Sequence, residues 1–158
     1  MNIKDLSKPL DVHQIEFRVQ SINNGGYATI LAYKDARADM QVLDSVVGAL
    51  NWKREHINNN ANCVVSIWCD QKSQWVSKED TGTQSNTEKE KGLASDSFKR
   101  ACFNWGIGRE LYDYPVISIK LNQNEIQEKN GKKYASWGFK LKEWIWFTQF
   151  NSDGKLNY

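Results

Sequence analysis

Proline is nearly missing from this chain: only Pro9 and Pro115 occur in 158 residues. So little proline argues against a long disordered linker. Long apolar runs are missing too; none approaches the roughly 18 residues a helix needs to cross a bilayer. Met1 to Leu10 carries no apolar stretch of the secretory-leader kind, so no membrane partner and a cytoplasmic location are expected. Histidine is limited to His13 and His56, which stand apart and form no zinc pattern. Cys63, Cys69 and Cys102 are an odd set without metal spacing and read as reduced, buried thiols.

Catalytic signals are equally scarce. There is no glycine loop of the Walker type, so ATP use is not expected. There is no nucleophile motif. Glu79 and Asp80 are neighbours on a strand-like run and face opposite sides, which is wrong for a shared metal. These gaps point to a protein that is not an enzyme and has neither cofactor nor metal. Charge of one sign is also in short supply: 21 Lys and Arg against 19 Asp and Glu leave a net +2. A nucleic-acid partner would therefore need positive charge gathered locally.

Aromatic residues are plentiful: 12% of the chain, seven of them tryptophan. They serve a large core, oligomer contacts or stacking surfaces. The length suits one domain with a real core, and the patterning below reads as one α+β unit over residues 1–158.

Ile15 to Ile22 alternates apolar and polar residues, as a strand does. Asn23-Asn24-Gly25-Gly26 is a turn, and Tyr27 to Tyr33 returns as the second strand of a hairpin. Asp35 caps a helix predicted from Ala36 to about Ala49, with Met40, Leu43, Val47 and Leu50 on its apolar face. Asn51–Asn58, Cys63–Cys69 and Gln74–Thr81 read as three strands with connections too short for helical crossovers, hence an antiparallel meander. Thr87 with Glu90 makes a capping box for a long helix ending near Trp105, where Gly106 and Gly108 stop it. Pro115 to Leu121 reads as a strand, Asn122 to Lys132 as a polar connection, and Tyr134 to Lys142 as a further strand. Trp144, Ile145, Trp146 and Phe147 form a bulky apolar group whose role, in core, subunit contact or partner surface, stays open.

On the long helix, Ala94, Phe98, Ala101, Cys102 and Trp105 share one stripe that packs on the sheet. Lys99 and Arg100 flank it, about 100° apart. Helix periodicity alone allows them a solvated face or a shared groove, since long cationic side chains snorkel.

The motifs, taken together, have a recognisable order. Trp75-Val76-Ser77-Lys78-Glu79-Asp80-Thr81-Gly82-Thr83 precedes Glu88-Lys89-Glu90-Lys91-Gly92, then Ala94-Ser95-Asp96-Ser97-Phe98-Lys99-Arg100-Ala101, then Trp105-Gly106-Ile107-Gly108-Arg109. Upstream lie Tyr33-Lys34-Asp35-Ala36-Arg37, Leu43-Asp44-Ser45-Val46-Val47-Gly48 and Asn51-Trp52. This combination resembles the Rad fifty-two superfamily of single-strand annealing proteins, especially its short phage members, over roughly residues 15–115.

The resemblance implies an antiparallel β-β-β-α core preceded by a hairpin and helix, with C-terminal strands over about 115–150. It also implies an oligomeric ring, and ATP-independent annealing of single-stranded DNA in recombination and repair. Bacteriophage origin would place the chain in the host cytoplasm, beside a single-strand-binding protein or exonuclease. Lys99 and Arg100 match the family's phosphate-holding helix cations. Arg18 resembles its strand arginine, and Tyr33 falls where an aromatic contacts the strand. Where eukaryotic members place a further arginine, one turn beyond Lys99, this chain has Phe103. Lys34 and Arg37 are the candidate compensating charges, with helix-start pairing an equal reading for Arg37. The competing function is a single-strand DNA or RNA-binding module that stacks bases on tryptophan without annealing.

Overall fold

The structure, a computed structural model, describes residues 1–83, 89–114 and 116–136. In chain order its main elements are β1 (Ile15–Ile22), β2 (Tyr27–Lys34), α1 (Ala36–Val46), β3 (Trp52–Ile57), β4 (Asn62–Cys69), β5 (Gln74–Thr81) and α2 (Lys89–Asn104), then β6 (Ile117–Lys120), β7 (Ile126–Lys129) and β8 (Lys132–Ala135). The fold is α+β with antiparallel sheets. Two compact units divide the chain: Met1–Leu10 with Lys34–Glu110, and Asp11–Tyr33 with Leu111 onward.

In the first unit, β3, β4 and β5 form the expected antiparallel meander. Asn58, Asn59 and Asn60 all take positive φ at the first turn, a conformation that asparagine tolerates better than other non-glycine residues. The register sets His56, Cys63 and Asp80 abreast, then Arg54, Val65 and Lys78, then Trp52, Ile67 and Val76. Helix α2 packs on this face. Phe98, Ala101 and Cys102 of its stripe are buried with Cys63, Val65 and Ile67. Stacking of Trp52 on Phe98, with ring centroids 6.1 Å apart, closes one side.

Helix α1 begins as the sequence predicts: the Asp35 side chain accepts from the Arg37 amide, a standard N-cap. It ends earlier than predicted, at Val46 rather than about Ala49. Gly48 turns left-handed at φ +92°, and Asn51 Nδ2 donates to the Val47 carbonyl at 2.8 Å. Leu50 is thereby thrown off the apolar face and is 93% exposed, while Leu43 and Val47 stay buried.

In the second unit, β1, β2 and β6 make a three-stranded sheet, with Ile30 buried among Val12, Phe17, Val19, Ile117 and Ile119. The polar stretch after Leu121 differs from expectation. It holds a hairpin, β7 paired with β8, turned by Asn130 and Gly131, both at positive φ. Asn-Gly is a strong hairpin signal, but four-residue polar strands carry no apolar alternation to accompany it. The expected capping residue Thr87, Pro115, and the chain from residue 137, including Trp144 and Trp146, lie outside the described residues.

Candidate nucleic-acid interface

Several polar residues of the motif series are committed to seating α2. A Cβ on Gly82 would stand 2.6 Å from the Ser97 amide nitrogen, so only glycine lets the end of β5 approach the helix this closely. Beyond it, the Thr83 amide donates to Asp96 Oδ2 at 2.7 Å, and Ser97 Oγ donates to the Asn60 carbonyl at 2.9 Å. Asn104 Nδ2 donates to the Glu79 carbonyl, and Trp105 Nε1 to the Val65 carbonyl.

The closing Gly-Ile-Gly-Arg segment is the helix's C-cap. Gly106 at φ +98° donates to the Phe103 carbonyl and Ile107 to that of Cys102, the Schellman pattern. Arg109 adds Nε to the Phe103 carbonyl at 2.7 Å and Nη2 to that of Asn104 at 2.8 Å. A cation here also suits the negative end of the helix dipole.

Lys99 and Arg100 are differently placed. Lys99 is half-buried on the flank toward Lys34, Asp35 and Asp39, whose charges it influences. Among the described residues no carboxylate lies within ion-pair distance of it. Arg100 lies on the other flank, its Nε 3.7 Å from Asp80 Oδ1. That separation is too long for a hydrogen bond. This Nε is buried without an acceptor, although the side chain as a whole is 43% exposed. A buried donor without an acceptor is costly.

Lys34 corrects a sequence expectation. It is 1% exposed, not a groove cation. Its ammonium is hydrogen-bonded to Asp39 Oδ1 and donates to the Ile107 carbonyl at 3.0 Å and the Lys99 carbonyl at 3.3 Å. It also sits 3.8 Å from the centre of the Phe103 ring. With its donors committed and water excluded, it cannot meet a phosphate, and it leaves the candidate set. Burial pulls its pKa down and pushes that of Asp39 up to about 6, each against the attraction of the other. Arg37 is exposed, and its guanidinium reaches back to its own cap residue, Nε to Asp35 Oδ1 at 3.1 Å. The hydrogen bonds from Arg37 hold the Asp35 carboxyl below the usual carboxylate range.

In the second unit, Arg18 and Tyr33 are brought together: the exposed guanidinium stands 5.3 Å from the ring centre. The Tyr33 hydroxyl donates to Glu16 Oε2 at 2.8 Å.

Two cations passed over in the sequence join α2's face of the sheet. Lys78 lies over the Trp105 ring at 5.1 Å and Arg54 over Phe98 at 4.6 Å. Period two was the available signal, since Lys78 shares a strand face with Asp80, the residue beside Arg100. Three tryptophans are tied down by their indole N–H: Trp52 to Asp44, Trp68 to Asp70 and Trp105 to Val65. Trp75 is 37% exposed, with the Lys53 ammonium 4.5 Å from its ring centre. Among the described residues, no group of three or more His, Cys, Asp or Glu could hold a metal ion, and no helix is long and apolar enough to cross a membrane. No family model, curated protein or solved structure matches this chain.

Proposed function

We propose that this chain binds single-stranded DNA through the cations of α2 and accelerates annealing of complementary strands without ATP, as a ring-forming protein of the Rad fifty-two type. One observation carries the reading. Where its neighbours on α2 are committed to the fold, Lys99 has no carboxylate in ion-pair range among the described residues, and Arg100 keeps a buried donor without an acceptor. Phosphate oxygens would serve Lys99 and the exposed part of the Arg100 side chain, which is 43% accessible. Arg18 over Tyr33 offers a further exposed cation on an aromatic support.

The mechanism needs only physical terms. Cations neutralise phosphates and release counterions. A strand held by its backbone keeps its base edges free to sample a complement, without sequence preference. A ring repeats a modest site many times along one strand, so a net charge of +2 can suffice. No bond is made or broken, so no catalytic residue is assigned. A recombination partner, such as a single-strand-binding protein or an exonuclease, and a cytoplasmic setting belong to the same proposal.

Lys99→Ala with Arg100→Ala tests it. The double variant should keep the wild-type circular dichroism spectrum and assembly size, yet bind a fluorescent oligothymidylate at least tenfold more weakly. Its log-affinity against log-salt slope should be shallower by roughly 1.4, for two lost phosphate contacts on a single strand. Wild-type affinity in the variant would remove the site. Binding by the wild-type chain without faster annealing of two complementary oligonucleotides would instead favour a plain single-strand-binding module.

A further inference from the structure

We propose that Lys34 and Asp39 are positioning residues for Lys99: their buried ion pair clamps the stretch of α2 that presents the Lys99 side chain, without touching nucleic acid itself. The inference rests on the strand-binding reading above.

The Lys34 ammonium joins three segments of the first unit. It takes Asp39 from the first turn of α1, the carbonyl of Lys99 from α2, and the carbonyl of Ile107 from beyond the α2 cap. The Phe103 ring, one turn after Lys99, closes it off. One cation therefore bridges two backbone positions eight residues apart and fixes the carbonyl of the very residue assigned to phosphate. A Cβ on Gly108 would come within 3.0 Å of Lys34 Cδ, so the chain after the cap is also shaped to admit this side chain. Such a pair is costly to desolvate and is weak evidence for stability alone, whereas fixing one geometry is a role such pairs can serve. Asp39 Oδ2 remains buried without a partner, so the carboxylate can change protonation with no second hydrogen bond to break.

Two features separate positioning from plain folding. Lys34→Met with Asp39→Leu removes one charge of each sign, so the local field at Lys99 keeps its net value. A loss of affinity then reports a displaced Lys99. Asp39→Asn keeps an oxygen acceptor for Lys34, so affinity should be retained. The second feature is pH. The groups facing Asp39 are Lys34, Asp35, Lys99 and Cys102, with Arg54 and Cys63 beyond Cys102. As pH falls through about 6, Asp39 takes up a proton and the Lys34 charge beside Lys99 loses its counter-charge.

The experiment is oligothymidylate binding by the full chain, read by fluorescence anisotropy from about pH 5 to about pH 8, for wild type and three variants. Lys99→Ala alone sets the scale. The expected result has three parts. Lys34→Met/Asp39→Leu loses about as much affinity as Lys99→Ala, severalfold, while remaining folded. Asp39→Asn binds as wild type or tighter at pH 7. The wild-type gain in affinity on acidification is smaller in Asp39→Asn, both histidines being present in each. Should Lys34→Met/Asp39→Leu fail to fold, Phe103→Leu replaces it, with the same severalfold loss expected. If Lys34→Met/Asp39→Leu, or Phe103→Leu in its place, folds and binds as wild type while Lys99→Ala is weakened, positioning is overturned and the strand-binding reading stands. If Lys99→Ala has no effect, the strand-binding reading itself fails.

Discussion

Gly82 carries a steric demand that no other side chain can meet, because the Ser97 amide nitrogen would lie 2.6 Å from its Cβ and the Leu93 carbonyl 3.1 Å. Gly82→Ala must push β5 off α2 and should cost about 2 kcal/mol or more, seen as a lower urea midpoint at unchanged slope. The thiols make a second residue-scale case. Burial pushes the Cys63 thiol up to about 11 and raises that of Cys102 well above the usual thiol range, so neither offers thiolate at neutral pH. Cys69 is half-buried and is the thiol expected to react first. A disulfide reagent should titrate one fast cysteine in the native protein and three after unfolding. Fast reaction of two or three would mean that the α2 face of the sheet opens readily.

At the scale of elements, α2 is held at two places: the chain after β5 locks its middle through Asp96, and the Schellman cap, Arg109 and Lys34 lock its close. Lys34→Met strands the Asp39 carboxylate in the core and should cost about 3 kcal/mol or more, whereas Lys34→Met/Asp39→Leu should recover most of it. The pH dependence follows from Asp39, whose carboxyl is raised from 3.8 to about 6. The fold holds this proton more tightly than the unfolded chain does. Its contribution to stability is therefore complete below 3.8 and lost as pH rises through about 6. Urea midpoints compared between wild type and Asp39→Asn should diverge in favour of asparagine across that window and stay parallel above it. A constant difference across the window would mean that Asp39 titrates as an ordinary carboxylate.

For the whole molecule, the expected behaviour is assembly. A protomer of 18.3 kDa and net charge +2 has little reach over a single strand. Contacts repeated around a closed ring would supply it. Light scattering at working concentration should give a mass many times that of the protomer, and micrographs should show closed rings with single-stranded DNA present. A monomer under both conditions would undercut the ring and leave a simple binding module.

Much of the architecture was legible in residue order because it rests on local rules. Alternation marked β1, turn signals and a continuous apolar run marked β2 to β5, Asp35 marked the start of α1, and Gly106 marked the stop of α2. The Asn130-Gly131 hairpin escaped because its strands are short and polar, and Leu50 misled because one left-handed Gly48 redirected the chain. The site divides in the same way. Lys99 and Arg100 were visible as cations beside an apolar stripe, since helix period alone sets that relation. Whether a lysine faces water or the core depends on where other segments pass. Only tertiary packing brought Asp39, Ile107 and Phe103 around Lys34, which turned a supposed surface charge into a buried clamp, and only packing set Asp80 too far from Arg100 Nε to accept its hydrogen.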